Sequence, residues 1–147
     1  MNMALDLLIK LLKQFEGCKL TAYKDIVGIW TIGYGETLNV KEGMVWTQAK
    51  ADSELSNRAA DFLAQTIAAC PSLKNESAER QAACASLAYN IGVGAFKTST
   101  VCRKTASKEY ESAANAFLLW CKAGGKFVQG LENRRRKERA VYLATPT

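Results

Sequence analysis

The stretch from Gln48 to Ala69 contains neither glycine nor proline, and it is rich in helix-favouring residues such as alanine and leucine. These residue types favour a helix because they lose little side-chain freedom in it. Thr47 precedes the stretch as a candidate N-cap, and Pro71 follows it as a stop signal. The sequence therefore predicts one long helix that connects the first third of the chain to the remainder.

Shorter helices are predicted on either side of this long one. Gly17 is positioned to end the first of them with a left-handed cap. That first helix is indicated by apolar residues that recur at three- and four-residue spacing, namely Leu5, Leu8, Ile9, Leu12 and Phe15. The later helices are expected over about residues 78–91, 99–104, 108–120 and 133–143.

A β-hairpin is predicted between the first helix and the long one. The segment from Thr21 to Tyr34 is rich in Thr, Tyr, Ile, Val and Trp, which are strand-forming residues. Asp25 and Gly28 lie in its middle and indicate a turn. The segment is therefore expected to form a short hairpin or a small twisted sheet.

Together these elements predict a mainly helical α+β protein. Its 147 residues, of which 48% are apolar, suffice for a single domain over residues 1–147. We expect an N-terminal α+β lobe over about residues 14–46, a connecting helix over about 47–69 and a helical C-terminal lobe over about 70–147. The first helix is expected to pack on the C-terminal lobe. A cleft between two lobes is a common place for an active site.

The net charge of +6 favours polyanionic partners such as nucleic acid, anionic lipid or the acidic bacterial envelope, but it does not choose among them. The basic run from Arg134 to Lys137 supports two alternatives, a nucleic-acid-binding module and a membrane-disrupting basic segment. No nucleic-acid recognition signature accompanies that run, and it lacks an apolar stripe. No apolar stretch is long enough to span a bilayer, and no signal peptide is expected.

The cysteines predict neither a metal site nor a fixed disulfide pattern. The chain has five cysteines, no C-x-x-C motif and no histidine, so we expect no bound metal. Cys84 lies in an alanine-rich run and is expected in the core. One or two disulfides could form in an oxidising compartment. Their pairing stays open among Cys18, Cys70, Cys84, Cys102 and Cys121.

Two carboxylates and a hydroxyl lie close together in the sequence. Glu16 is expected at a helix end, Asp25 at the hairpin turn and Thr31 on the returning strand. Glycoside hydrolysis uses such a pair, one carboxyl group that gives its proton to the leaving oxygen and one carboxylate that handles water. On spacing alone, Glu16 and Asp25 could equally be ordinary surface charges.

Three blocks of sequence resemble the phage lysozymes, or endolysins, of glycoside hydrolase family 24. The first block resembles the N-terminal signature of that family, the second its central helix and following loop, and the third its C-terminal part. The blocks occur in the family's order and cover most of the chain. They are Phe15-Glu16-Gly17 with Tyr23, Asp25 and residues 30–35; residues 86–92 with 94–96, Ser99 and Thr100; and Trp120 with residues 124–125, 130–131 and 134–136.

The resemblance implies a lysozyme-like two-lobe fold and cleavage of peptidoglycan. It implies that Glu16 is the general acid, that Asp25 orients or deprotonates a water and that Thr31 positions it. The substrate would be the β-1,4 bond between N-acetylmuramic acid and N-acetylglucosamine, cleaved with inversion. No cofactor is implied.

The resemblance also implies where such a protein acts. It would be made in the host cytoplasm as a monomer and would reach the cell wall through a separate holin. Nucleic acid and stable membrane insertion are not expected.

Four further residues are predicted to bind substrate. Tyr34 could stack on a sugar, and Asn90 could hydrogen-bond an N-acetyl group. Either Arg134 or Arg135, which would open the last helix, could reach the carboxyl group of Glu16. One position departs from the family, because Glu36 stands where a histidine is common and must find another partner.

Overall fold

The computed structural model describes residues 2–144 and has a mainly helical α+β fold, as predicted. The α-helices are α1 (Met3–Glu16), α2 (Gln48–Ala69), α3 (Ala78–Ile91), α4 (Val93–Lys97), α5 (Thr100–Ala106), α6 (Tyr110–Ala116) and α7 (Gln129–Leu143). The strands are β1 (Lys19–Lys24), β2 (Trp30–Gly33), β3 (Lys122–Ala123) and β4 (Lys126–Phe127). Two 3₁₀ helices cover Pro71–Asn75 and Phe117–Leu119. No helix among residues 2–144 is long and apolar enough to cross a membrane.

The chain divides into two compact units. Unit 1 comprises the residues up to Leu8 and those from Asp61 onward, and unit 2 comprises Ile9–Ala60. The first turns of α1 therefore belong to unit 1, and its C-terminal part belongs to unit 2. The expected lobe boundaries at about residues 14, 47 and 70 stay predictions.

The helix ends follow the local signals in the sequence. The hydroxyl of Thr47 accepts a hydrogen bond from the amide N–H of Lys50 at 3.1 Å, which confirms the predicted N-cap of α2. Gly17 follows α1 with a φ of +64°, and Gly92 follows α3 with a φ of +97°. Both values are costly for a residue with a Cβ, so glycine is the residue that ends these helices with least strain.

The predicted hairpin is present in unit 2. Strands β1 and β2 are antiparallel, and Tyr23 lies opposite Thr31. The register shifts between Lys19 and Tyr23, which marks a bulge in β1. Val45 extends the pairing on the other side of β1, where it bridges to Thr21.

Three details of unit 1 differ from the prediction. Helix α7 begins at Gln129 and not near residue 133, so its arginines lie in the second turn and do not face the positive end of the helix dipole. Gly130 is tolerated in the first turn, where the amide groups have no intrahelical partners. The β3–β4 hairpin was not predicted, and Gly124 and Gly125 form its two-residue turn, for which their φ values of +57° and +79° are suited. The region predicted as one helix from residue 108 to 120 is α6 followed by a 3₁₀ turn.

The core of unit 1 is apolar and built from its helices and the 3₁₀ turns. Phe96 and Phe117 are fully buried in it, and Cys84 is buried there as predicted. The rings of Phe117 and Tyr142 pack at 5.4 Å between centroids. The hydroxyl group of Tyr142 satisfies its hydrogen-bonding needs with Thr105 at 2.7 Å.

An ionic cluster lies buried between α3 and α7. Glu138 is completely buried, and its carboxylate accepts hydrogen bonds from the Ser86 hydroxyl at 2.6 Å and from Nε of Arg134 at 3.2 Å. Nε of the fully buried Arg135 lies 2.9 Å from the other carboxylate oxygen. Burial raises the pKa of Glu138, and the arginines and Ser86 oppose that shift. The cluster holds α7 against α3 because each charge needs the others once water is excluded.

Substitution of Glu138 by alanine is expected to destabilise the protein strongly. It leaves two buried guanidinium groups without their carboxylate, which costs about 3–5 kcal/mol in the free energy of unfolding. Glu132→Ala is the matched control on the same helix, because Glu132 pairs with the exposed Arg136 at 3.3 Å. Its loss is expected to cost about 1 kcal/mol or less. Urea unfolding of both variants measures the difference, and equal costs would contradict the role assigned to the cluster.

Candidate active site

Glu16 is the last residue of α1 and is half-buried. The left-handed Gly17 turns the chain away directly after it, so the carboxyl group projects from the end of the helix. The backbone of Gly35 lies close to this carboxyl group, because a Cβ built on Gly35 would be 3.5 Å from Oε2 of Glu16. A glycine at residue 35 therefore leaves space beside the predicted acid.

Asp25 forms the turn between β1 and β2. Its Oδ1 accepts hydrogen bonds from the amide N–H groups of Val27 at 3.0 Å and Ile29 at 2.8 Å. Its own backbone closes the same turn, because its N–H donates to the carbonyl of Ile29 and its carbonyl accepts from Gly28. These bonds fix the orientation of the carboxylate. Among residues 2–144, Oδ2 accepts no hydrogen bond from the protein and is available to a substrate or a water.

Thr31 lies on β2 and is nearly buried, with 5% of its surface exposed. Its hydroxyl donates to the carbonyl of Ile29 at 2.9 Å. Because its only proton is used in that bond, the hydroxyl oxygen can only accept from another group. Glu16, Asp25 and Thr31 all lie in unit 2, so one small unit carries all three predicted catalytic residues.

Tyr34 is buried in a polar network. Its hydroxyl donates to Asp52 at 2.9 Å and accepts from the side chain of Gln48 at 3.1 Å. Lys13 lies 3.5 Å from the same carboxylate oxygen of Asp52. Burial, together with the hydrogen bond to Asp52, raises the pKa of Tyr34 to about 12. With 8% of its surface exposed, Tyr34 offers little ring face to a sugar, so its stacking role stays a prediction that this burial does not favour.

Glu36 finds its partner in Arg58. Its Oε2 lies 3.3 Å from Nε of Arg58, and 14% of the glutamate side chain is exposed. Its backbone also closes a tight turn with Ile32, in which each amide donates to the other residue's carbonyl. This ion pair anchors the chain just after the Gly33–Gly35 turn. No motif in the sequence pointed to Arg58, because the pairing spans from this turn to α2.

The predicted substrate-binding residues of unit 1 are linked to one another. Arg135 is fully buried and donates to Oδ1 of Asn90 at 2.7 Å, whereas Asn90 is exposed. Nη2 of Arg134 donates to the carbonyl of Ser86 at 3.1 Å. Both arginines therefore have a structural role within unit 1, and the expected contact of one of them with Glu16 stays a prediction. Their burial also removes two members from the basic run on which the nucleic-acid alternative rested.

Within residues 2–144, two surface cavities of unit 1 have Trp120 in their lining. One has a volume of about 310 Å³ and the other of about 360 Å³. The lining of the first comprises Ala95, Thr98, Ser99, Thr100, Arg103, Leu119 and Trp120. The lining of the second comprises Asn90, Ile91, Trp120, Lys122, Ala123 and Leu131. The sequence did not identify Lys122 and Arg103 as cavity-lining residues, because only the folded unit places them beside these cavities.

The cysteines are all free thiols. Cys18 is exposed, and the other four are buried. Burial raises the pKa of the Cys84 thiol well above its ordinary value. Within residues 2–144, no group of three or more His, Cys, Asp or Glu side chains is arranged to hold a metal ion.

Comparisons with known proteins agree on one family. The family described as phage lysozyme matches residues 13–138. The endolysin of Salmonella phage P22 is 42% identical over an alignment of 138 residues, and the alignment covers 90% of this chain and 92% of that protein. The SAR-endolysin of Enterobacteria phage P21 is 36% identical over 130 residues, covering 87% of this chain and 77% of that one. The solved structure of the endolysin from Escherichia coli O157:H7 phage FAHEc1 superposes with a TM-score of 0.80 at 33% identity, covering 96% of this chain and 94% of that chain.

Gly33→Ala is expected to destabilise unit 2 more than an equivalent change elsewhere. A Cβ at Gly33, where φ is +65°, would lie 2.8 Å from a ring carbon of Trp46. Strain and overpacking together should cost about 2–4 kcal/mol of unfolding free energy. Gly43→Ala is the control, because φ is +86° there and nothing lies within 4 Å of the added atom. Its cost should be about 1–2 kcal/mol. Denaturant unfolding that gives the same cost at both glycines would exclude the predicted clash.

The raised pKa of Tyr34 predicts a loss of stability at alkaline pH. Between its ordinary pKa of 10 and its folded value of about 12, the unfolded chain releases the phenolic proton while the folded chain keeps it. The contribution of Tyr34 is thus fully present below pH 10 and is lost as the pH rises towards 12. Between pH 9 and pH 11, wild type should lose about 1 kcal/mol more than Tyr34→Phe in urea unfolding. Parallel curves for the two proteins would show that Tyr34 titrates normally.

Proposed function

The chain belongs to the phage lysozyme family and is a muramidase that hydrolyses bacterial peptidoglycan, and we propose that Glu16, Asp25 and Thr31 are its catalytic residues. The bond cleaved is the β-1,4 bond between N-acetylmuramic acid and N-acetylglucosamine. The observation that carries this assignment is the turn at Asp25, whose Oδ1 is held by two amide groups while Oδ2 is left available. A carboxylate fixed in this way is suited to orient a water molecule.

Each of the three residues has a separate part in the reaction. Glu16 donates its proton to the glycosidic oxygen while the bond from that oxygen to the anomeric carbon breaks. Asp25 accepts a proton from the water whose oxygen bonds to the same carbon. The Thr31 oxygen accepts the second hydrogen of that water, because its own proton is committed to Ile29. Two acceptors then hold the water with a lone pair directed at the anomeric carbon, and the product has inverted configuration.

We propose that Asn90, Arg134, Arg135 and Tyr34 contribute to substrate binding, either by direct contact or by holding a residue that makes the contact. Asn90 is the member with an exposed amide group. Arg135 contributes by holding that amide group in place, as its hydrogen bond to Oδ1 indicates. Arg134 and the buried Tyr34 support the local structure of their units.

We also propose that the protein acts as a monomer and reaches the wall from the host cytoplasm through a separate holin. Peptidoglycan is its substrate, and the net charge of +6 suits the acidic bacterial envelope. Size-exclusion chromatography tests the monomer. Lysis that occurs only when a holin is expressed with the enzyme tests the route.

Replacement of the proposed acid or base should abolish clearing of purified peptidoglycan. Glu16→Gln and Asp25→Asn are each expected to reduce the rate about 10²- to 10⁴-fold, because each removes a proton-transfer group. Asn keeps the oxygen that accepts the two turn amides, so Asp25→Asn tests the charge while preserving the turn. Glu42→Gln is the control, because Glu42 is an exposed carboxylate of the same unit.

Variants of Thr31 test the accepting oxygen. Thr31→Val should slow the reaction while Thr31→Ser retains most of it, since serine keeps the accepting oxygen.

The products of the reaction identify the bond that is cleaved. They should carry new reducing ends without new free amines, and nuclear magnetic resonance should detect the inverted anomer first. Bacterial killing by Glu16→Gln at the wild-type rate would favour membrane disruption and overturn the assignment.

A further inference from the structure

Three buried cysteines of unit 1 lie in one apolar core. Cys70 directly follows α2, Cys84 lies on α3 and Cys102 lies on α5. All three are free thiols. Because they come from three separate elements, no local pattern in the sequence places them together. The fold of unit 1 thus collects the groups from which a disulfide bond is made.

The contacts within this core single out two of the three thiols. Sγ of Cys70 lies 3.7 Å from the backbone carbonyl oxygen of Cys102, and the two thiol groups are in direct hydrogen-bond contact. Cys84 is near enough to interact electrostatically with both, but within residues 2–144 its thiol forms no hydrogen bond with either. A disulfide requires two chain segments that lie close together, since its Cα atoms are about 4.4–6.8 Å apart. The contact of Cys70 with the backbone of Cys102 favours this pair.

We propose that Cys70 and Cys102 form a disulfide bond when the folded protein meets a disulfide oxidant, and that the bond fastens the end of α2 to α5. Cys102 is 9% exposed and Cys70 is 2% exposed, so Cys102 reaches the oxidant first. Its thiolate attacks one sulfur of the oxidant R–S–S–R, which releases one R–S⁻ and leaves a mixed disulfide. The Cys70 thiolate then displaces the second R–S⁻. The two cysteine protons pass to the released thiolates, and the oxidant gains the two electrons that the cysteines lose.

Burial controls how fast this exchange proceeds. Burial, together with the hydrogen bond to Cys70, raises the pKa of Cys102 to about 12. The thiolate is the attacking group, so the exchange is slow at neutral pH and accelerates as the pH rises towards 12. The pair would stay reduced in the cytoplasm and close after release into an oxidising compartment. This timing rests on the proposed route of the enzyme to the cell wall.

The bond closes a ring that spans residues 70–102 and contains the whole of α3 and α4. A cross-link of this span restricts the unfolded chain far more than the folded one, in which the two thiols are already in contact. The oxidised protein should therefore melt about 5–10 °C above the reduced protein.

Treatment of the native protein with oxidised glutathione tests the pairing. The Cys18→Ala protein is used, because the exposed Cys18 would otherwise take up glutathione itself. The protein should lose the mass of two hydrogen atoms, and peptide mapping should find one cross-link, between Cys70 and Cys102. A cross-link that involves Cys84 or Cys121 would overturn the proposal. So would the recovery of all four remaining thiols in reduced form after long treatment at raised pH.

Melting temperatures test the effect of the bond. Each protein is compared in its oxidised and reduced forms, so a lower stability of a variant does not obscure the result. Cys102→Ala in the Cys18→Ala background should abolish the rise of about 5–10 °C. Cys121→Ala is the matched control, because Cys121 is also buried but its Sγ donates to the carbonyl of Leu118 at 3.2 Å. This control should keep the full rise.

A rise that persists in Cys102→Ala, or that disappears in Cys121→Ala, would contradict the assigned pair. Neither mass nor melting temperature depends on hydrolysis of peptidoglycan. The outcome is therefore independent of whether Glu16 proves to be the catalytic acid.

Discussion

The carboxylate of Glu138 is the buried charge on which unit 1 depends. It lies between α3 and α7 at zero exposure, where an unpaired charge would cost several kcal/mol, and it is accompanied by Arg134, Arg135 and Ser86. The same contacts that neutralise this charge continue through Arg135 to Asn90 at the surface. A requirement of stability thereby orients a side chain that faces a cavity. An oriented amide binds a ligand with less loss of freedom than a mobile one.

In the hairpin of unit 2, too, the same side chains both stabilise the fold and present atoms to a substrate. Asp25 stabilises the turn with one oxygen and leaves the other available, and Thr31 uses its proton within the same turn while its oxygen remains an acceptor. The backbone of the hairpin thus decides which atoms of these residues can meet a substrate. The turn that follows is fixed by the close approach of Gly33 to Trp46 and by the ion pair of Glu36 with Arg58. Glu36, which stands where the family resemblance leads one to expect a histidine, is thus held by Arg58.

Local signals in the sequence predicted most of the helices and the first hairpin, because capping, periodicity and turn chemistry act over a few residues. The Thr47 cap and the glycine after α1 are examples. The start of α7 was predicted four residues late, and the additional first turn contains Gly130, which the first turn of a helix tolerates. The hairpin of Lys122 to Phe127 was missed because two-residue strands carry too little pattern to be recognised.

The sequence by itself determined the fold class, the family and the three candidate catalytic residues, because these depend on motifs that are contiguous or nearly so. Only the tertiary structure decided the environment of each charged group. It buried Arg134 and Arg135, which belong to a run of charges that looks solvated, and it paired Glu36 with Arg58. It also placed Lys122 and Asn90 in the lining of one cavity. Burial and ion pairing bring together residues that are distant along the chain. No local sequence pattern therefore indicates which of several similar charged side chains will be buried away from solvent.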